Sequence, residues 1–172
     1  MRVIAGTLKG RRLEAPDWPG LRPTSDKLRE TLFNVLAPRI RDARVLDGYA
    51  GTGAVGIEAL SRGAAHVTFV DRDPRALKLI EENLRHCGVQ ERYVIIRTPQ
   101  SLPAGSIDLA VLDPPYDEPD LTAAIAAAEL LIAPGGLLVL EHARRRPVPE
   151  QAGRLRMSRD LVSGDSALAF YS

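Results

Sequence analysis

The sequence predicts an α/β fold built on a doubly wound, mostly parallel sheet. From residue 43 onward, short segments nearly continuous in Val, Ile and Leu alternate with helical segments, which is typical of parallel strands that helices cover on both faces. Two of these strands are followed by loops rich in glycine or proline, at the sheet edge where such folds bind ligands. A chain of 172 residues supports one core, so we expect a single domain over residues 1–172.

Strands and helices alternate regularly through the predicted core, which spans residues 43–172. Gly63 and Gly88 end the first two helices and Pro74 begins the second, at positions that favour these residues. The expected elements are a strand at 45–47, a helix at 54–62, a strand at 66–70, a helix at 74–87, strands at 93–97 and 107–112, a helix at 120–132, a strand at 137–141, and a closing antiparallel hairpin made of 154–158 and 168–171.

The first 42 residues fall outside this alternation and form an N-terminal extension to the core. Residues 3–14 predict a small hairpin with glycines at its turn. Residues 26–37 predict an amphipathic helix, with Ser25 as its N-cap and Pro38 as its stop. We expect this extension to bind the substrate.

Charge is unevenly distributed along the chain, although the net charge is only +1. Residues 1–45 have ten basic side chains against five acidic ones, residues 46–141 have seven against fourteen, and residues 142–172 have six against three. Two basic terminal segments on either side of an acidic central segment are consistent with a polyanion that binds to the terminal segments. The clusters Arg11-Arg12 and Arg144-Arg145-Arg146, each taken alone, are also explained as solvated charges.

Several classes of protein are disfavoured by the composition. The single Cys87 cannot form an intramolecular disulfide, and no Cys/His group has the spacing of a metal site. The basic segment 1–12 has no apolar stretch of signal-peptide length, and no later segment could span a bilayer. We therefore expect a cytoplasmic protein in a reducing compartment, with no metal and no membrane partner.

A proline-rich segment, Asp113-Pro114-Pro115-Tyr116, follows the apolar run 107–112, where a buried strand ends. We term it the DPPY loop. Its prolines fix φ and remove two N–H donors, so the loop is stiff. It can direct two acceptors, the Asp113 carboxylate and the Pro114 carbonyl, at one position, with the Tyr116 ring as a stacking surface. This suits an aromatic amine as substrate, although a short motif alone is also explained as a stiff turn.

A glycine-rich loop, Gly51-Thr52-Gly53-Ala54-Val55-Gly56, lies between the first predicted strand and helix. With Asp71 about twenty residues on, it satisfies the dinucleotide fingerprint, so an NAD-dependent oxidoreductase is one alternative. Asp47, four residues before Gly51, would repel a pyrophosphate. It suits a ligand with an ammonium group and no phosphate, such as S-adenosylmethionine, whose ribose Asp71 can bind.

The two loops are expected to adjoin, because Asp47 and Asp113 end strands that neighbour each other in a doubly wound sheet. Asp113 and Pro114 could accept the two N–H groups of a base amine and direct its lone pair toward a sulfonium methyl group. Positioning would then supply most of the rate, with proton loss after the transfer. Tyr116 would stack on the base, which must be unpaired or flipped out.

With these motifs the chain resembles the RsmD-type family of ribosomal RNA methyltransferases, which modify the N2 amine of one guanine in small-subunit rRNA. The resemblance spans nearly the whole chain and is carried by Ile4-Ala5-Gly6, Lys9-Gly10-Arg11-Arg12-Leu13, Leu21-Arg22-Pro23-Thr24-Ser25-Asp26, Arg29-Glu30-Thr31-Leu32-Phe33-Asn34 and the segment 46–63. It implies a Rossmann-like class I S-adenosylmethionine-dependent methyltransferase. It also implies cofactor contacts from Asp47, Tyr49, Gly51, Thr52, Gly53, Asp71 and Arg72, and guanine contacts from Asp113, Pro114, Pro115 and Tyr116.

The partner implied by the resemblance is small-subunit rRNA, either free or within a ribosomal assembly intermediate, and a monomer is expected. Arg11, Arg12, Arg22 and Thr24 are candidates for contacting this RNA and closing the site. One departure is Thr98-Pro99-Gln100-Ser101, where this class often places an Asp or Asn that meets the cofactor adenine. The alternatives that stay open are an N6-adenine methyltransferase, the NAD-dependent oxidoreductase and a non-catalytic RNA-binding module.

Overall fold

The computed structural model describes residues 1–19 and 25–172. Its elements are, in chain order, α1 (Asp26–Ile40), β1 (Arg44–Gly48), α2 (Ala54–Ser61), β2 (His66–Val70), α3 (Pro74–His86), β3 (Tyr93–Ile96), a 3-10 turn (Pro99–Ser101), β4 (Ile107–Leu112), α4 (Leu121–Glu129), β5 (Ile132–Ala143), β6 (Gln151–Ala152), β7 (Leu155–Ser163) and β8 (Ser166–Tyr171). None of these helices is long and apolar enough to cross a membrane.

The strands form one sheet in the order β3-β2-β1-β4-β5-β8-β7-β6. The first five strands in this order pair in parallel, and β8 and β7 add the predicted antiparallel hairpin beside β5. The predicted fold, a doubly wound and mostly parallel α/β sheet, is confirmed. The strand order reverses between β1 and β4, and ligands bind at such a switch point, outside the carboxyl ends of the strands.

Alternate residues of the central strands enter two hydrophobic cores, one on each face of the sheet. Val45 of β1 and Leu109 of β4 pack with residues of α1, α2 and α3 on one face. Leu46 and Ala110 pack with α4 and the C-terminal strands on the other face. This double burial explains why the central strands are almost continuously apolar. It also fixes the strand register, and therefore the positions of the loops at the strand ends.

Several predicted boundaries were wrong, each because a tertiary contact outweighs a local signal. α1 continues through Pro38 to Ile40, whose side chain is buried in the core. The helix expected to reach residue 132 ends at Glu129, because Ile132 pairs with Ile107. β5 therefore begins five residues earlier than expected and continues two residues further. β7 is also longer than predicted, since its second half pairs with β8.

The N-terminal hairpin is present in a minimal form, as one antiparallel bridge between Arg2 and Arg12. Glu58, a fully buried carboxylate of α2, attaches this hairpin to the core. Its two oxygens accept the backbone N–H groups of Ile4 at 2.7 Å and Ala5 at 2.9 Å. The extension is therefore joined to the helix that follows the glycine-rich loop.

Glu58→Gln is expected to lower the free energy of unfolding by about 3 kcal/mol. The amide nitrogen of Gln cannot accept a hydrogen bond, so a buried N–H group or the Arg62 guanidinium, now 2.7 Å from Glu58, loses its partner. Urea-induced unfolding measures the loss, with Glu30→Gln on the exposed surface of α1 as the control. Equal stability of the two variants would contradict the attachment through Glu58.

Candidate active site

A cavity of about 490 Å³ lies at the carboxyl ends of the central parallel strands, at the switch point of the sheet. Its volume is in the range of pockets that bind small molecules and cofactors. The walls come from the glycine-rich loop, the residues after β2, the DPPY loop and the N-terminal extension. The predicted site residues that line it are Asp47, Tyr49, Gly51, Thr52, Asp71, Asp113, Pro114, Pro115 and Tyr116.

The glycine-rich loop makes a tight turn between β1 and α2. Tyr49, Gly51 and Gly53 all have positive φ angles, of 59°, 55° and 75°. Glycine adopts this conformation without steric cost, and a Cβ at Gly53 would also lie only 3.2 Å from the Ile80 side chain. Gly53 thus shapes the turn as the N-cap of α2 without itself lining the cavity.

Asp47 is the most buried carboxylate of the cavity wall, with 2% of its surface exposed. Its Oδ2 accepts the N–H of Gly56 at 2.8 Å, so it caps the first turn of α2. Burial raises the pKa of Asp47 well above its usual range, and the nearby carboxylates of Asp113 and Asp71 raise it further against the opposing bond from Gly56. A cation beside Asp47 would stabilise its charged form.

Asp71 connects the end of β2 to the glycine-rich loop. Its Oδ2 accepts the Gly51 N–H and its Oδ1 accepts the Asp73 N–H, both at 2.9 Å. Each oxygen has a second lone pair with which it can accept a further bond. Arg72, also predicted to contact the cofactor, is exposed and lies outside the cavity lining. Its charge acts on Tyr49, whose pKa is raised chiefly by burial and by Glu118 and is lowered by Arg72.

The DPPY loop is fixed by contacts from the antiparallel end of the sheet. The Tyr116 hydroxyl shares a 2.6 Å hydrogen bond with Ser166 Oγ at the start of β8. Arg146, in the segment after β5, donates from Nη1 to the Tyr116 carbonyl at 2.7 Å and from Nη2 to the Glu118 carbonyl. Charge-assisted bonds of this kind are stronger than neutral ones. Asp113 and Tyr116 are therefore presented to the cavity from a well-supported loop.

Carboxylates dominate the charge of the cavity wall. The acidic side chains that line it are those of Asp47, Asp71, Asp73, Asp113, Asp117 and Glu141. Among the described residues of the wall, the basic one is Arg75, and it is paired with Asp73 at 2.7 Å. The wall therefore favours a cationic ligand over an anionic one. No group of three or more His, Cys, Asp or Glu side chains in the described part of the chain is placed to hold a metal ion.

The N-terminal extension follows α3 from its last turn back to its first. Arg11 lies beside Gly88, just beyond the end of α3, whereas the Trp18 ring lies 5.1 Å from the Arg75 guanidinium in the first turn. Trp18 lines the cavity. Because α3 is about 20 Å long, Arg11 is far from the cavity, and so is Arg12, which follows it in the hairpin.

Two of the predicted substrate residues, Arg11 and Arg12, are thus not at the cavity. Arg11 and Arg12 lie at the opposite end of α3, and Arg22 and Thr24 lie outside the described residues. Sequence reasoning missed several side chains that line or support the site. Four of them come from segments far from both motifs along the chain: Trp18, Glu141, Arg146 and Ser166. Only Glu141 had a local signal, since it closes an apolar run as Asp47 and Asp113 close theirs.

Fold and site together define the class of this molecule: it has the Rossmann-like fold of the S-adenosylmethionine-dependent methyltransferases. A family model described as "Conserved hypothetical protein 95" matches residues 1–172. The chain belongs to this family, the RsmD family, together with ribosomal RNA small subunit methyltransferase D.

The relatives resemble this chain over almost its whole length. Ribosomal RNA small subunit methyltransferase D of Escherichia coli (strain K12) is 36% identical, over 99% of this chain and 89% of its own length. YlbH of Bacillus subtilis (strain 168) is 37% identical, over 99% of this chain and 98% of its own. The solved structure of yhhF from Escherichia coli has a TM-score of 0.85 and 33% identity, covering 99% of this chain and 96% of that one. The similarity therefore includes the N-terminal extension as well as the core.

Proposed function

We propose that the protein transfers a methyl group from S-adenosylmethionine to the exocyclic N2 amine of a guanine in small-subunit rRNA. The observation that carries this proposal is the acidic cavity bordered by the DPPY loop. Its carboxylates suit a cationic cofactor, and the loop offers acceptors for an amine. Relatives named ribosomal RNA small subunit methyltransferase D support the RNA substrate. The protein acts as a monomer on free rRNA or on an assembly intermediate.

S-adenosylmethionine matches the chemistry of the cavity wall. Its ammonium group suits the buried carboxylate of Asp47, and its ribose hydroxyls suit Asp71, whose oxygens retain lone pairs. Tyr49, Gly51 and Thr52 border the same space. When bound, the cofactor supplies an electrophilic methyl group on a sulfonium. The pyrophosphate of NAD would face the six carboxylates among the described residues of the wall, which disfavours the oxidoreductase alternative.

The DPPY loop positions the target amine. The Asp113 carboxylate and the Pro114 carbonyl accept its two N–H groups, so the nitrogen lone pair faces the methyl group. Tyr116 stacks on the base, whose flipping from a helix costs roughly a few kcal/mol. Once methylated, the amine held by Asp113 and Pro114 would lose one proton to solvent. Orientation supplies most of the rate, because no strong base is needed before the transfer.

Arg146→Ala is expected to lower kcat for methyl transfer about tenfold and to leave cofactor affinity unchanged. The change removes both bonds to the loop carbonyls, so the acceptors of the DPPY loop lose their fixed position. Arg146→Lys can retain one bond and is expected to fall between Arg146→Ala and wild type. Single-turnover methylation and calorimetric cofactor titration separate the two effects. A kcat equal to that of wild type in Arg146→Ala would rule out the positioning role.

The reaction itself is tested with labelled S-adenosylmethionine and small-subunit particles from cells that lack the endogenous enzyme. Digestion of the rRNA to nucleosides is expected to give N2-methylguanosine as the labelled product. N6-methyladenosine would instead establish the adenine alternative, because the DPPY loop can accept either amine. Failure to bind the cofactor would overturn the proposal in favour of the oxidoreductase or the non-catalytic RNA-binding module.

A further inference from the structure

A second surface depression lies beside the active-site cavity and shares Tyr116 with it. Its other lining residues are Ala143, Arg144, Arg145 and Asp165. They come from the end of β5 and from the turn between β7 and β8. Tyr116 therefore borders both the depression and the proposed base site.

Hydrogen bonds hold the backbone around the two arginines of this depression, whereas the two side chains are exposed. The Arg144 N–H donates to the Asp165 carbonyl and the Arg146 N–H donates to the Ala143 carbonyl, both at 2.8 Å. Arg144 and Arg145 are exposed, and within the described residues neither guanidinium makes a hydrogen bond or an ion pair. Arg146, by contrast, uses its guanidinium to hold the DPPY loop. Two cationic groups are thus available to a ligand.

The charge around Tyr116 constrains the path of a nucleic acid strand. A base stacked on Tyr116 carries its sugar and phosphates out of the cavity near this ring. The described part of the cavity wall has six carboxylates, which repel phosphates. The depression that shares Tyr116 with the cavity has, among its described residues, two guanidiniums against the single carboxylate of Asp165. A strand leaving the base site is therefore attracted toward the arginine pair.

We propose that Arg144 and Arg145 bind phosphodiester groups of the RNA strand next to the target guanine. This inference rests on the proposed function, because it takes the base site beside Tyr116 as its starting point. Arginine suits this role, since its planar guanidinium can donate two parallel hydrogen bonds to a phosphate. Asp165 opposes the interaction and limits the positive charge of the depression.

The test is the salt dependence of binding to a short single-stranded RNA of defined sequence, measured by fluorescence anisotropy. In the double variant Arg144→Ala/Arg145→Ala, the slope of log affinity against log salt is expected to be less steep by about 1.4, since each lost phosphate contact on a single strand removes about 0.7. Affinity at low salt is expected to fall at least tenfold. Asp165→Asn is expected to shift affinity in the opposite direction, toward tighter binding.

The matched control is Arg41→Ala/Arg85→Ala, which removes the same charge from exposed positions at the C-terminal ends of α1 and α3. It is expected to leave the slope as in wild type. If the slopes of both double variants equal that of wild type, or if both decrease equally, the phosphate site is overturned.

Methylation of small-subunit particles separates this inference from the proposed function. In Arg144→Ala/Arg145→Ala, KM for the particle is expected to rise while kcat and cofactor affinity stay as in wild type. If wild type methylates the RNA and KM and the binding slope do not change in the variant, only the phosphate site fails. If wild type binds RNA through these arginines yet methylates no guanine, only the proposed reaction fails.

Discussion

Replacing Asp113 by alanine is expected to lower the rate of methyl transfer about a thousandfold while cofactor affinity stays close to that of wild type. The change removes one of the two acceptors that we propose orient the amine, and losing one such preorganised group typically costs 10²–10³ in rate. The cofactor contacts assigned to Asp47 and Asp71 stay in place. Single-turnover methylation with saturating particle measures the rate, and calorimetry measures the affinity.

Asp113→Asn is the matched control, because its carbonyl oxygen still accepts one N–H group while its charge is gone. A smaller loss than in Asp113→Ala indicates that acceptor geometry dominates, and an equal loss indicates that the charge does. Wild-type activity in Asp113→Ala would refute the role assigned to this carboxylate, whatever its asparagine counterpart does.

Replacing Asp47 by asparagine is expected to weaken cofactor binding on the order of a hundredfold, because the buried carboxylate proposed to bind the ammonium group of the cofactor loses its charge. The same change is expected to stabilise the cofactor-free protein by about 1 kcal/mol at neutral pH. Asparagine keeps an oxygen for the Gly56 N–H and removes a buried charge that faces Asp113 and Asp71. Calorimetry and urea-induced unfolding measure the two effects on one variant.

The gain in stability from Asp47→Asn has a defined pH dependence. The pKa of Asp47 is raised in the folded protein, so the charged carboxylate disfavours folding. This cost is absent below the unfolded pKa of about 3.9, grows as pH rises above it, and is complete above the folded pKa. The stability difference between Asp47→Asn and wild type should therefore vanish in acid. A variant that is less stable than wild type at neutral pH would show that the Asp47 carboxylate stabilises the fold.

The arrangement of Asp47 and Asp113 could be predicted from sequence because each depends on local patterns and one general rule. The apolar runs predict the strands, and each of the two carboxylates directly follows such a run. A doubly wound sheet places the carboxyl ends of neighbouring parallel strands side by side. The pairing of β1 with β4 confirms that these strands are neighbours. The role of Gly53 in a positive-φ turn follows equally from local geometry.

The hydrogen bonds that hold the DPPY loop could not be predicted from the sequence, because they join segments that are distant in sequence. The bond between Tyr116 and Ser166 spans 50 residues, and the bonds from Arg146 to the DPPY loop span 28 and 30. No periodicity or spacing encodes such contacts. The prediction that α1 stops at Pro38 was wrong for a related reason. The effect of a proline on a helix is local, whereas the burial of Ile40, which extends the helix past Pro38, depends on the whole core.

The position of Trp18 makes the N-terminal extension part of the wall of the active-site cavity. A ligand that contacts this ring can bind fully only while the segment is docked along α3. Binding of the ligand and docking of the segment therefore favour each other. Bound cofactor should consequently protect residues 1–19 from proteases. An RNA that binds this segment should slow the dissociation of the cofactor. Removal of the extension would thus leave an incomplete pocket in the core that remains.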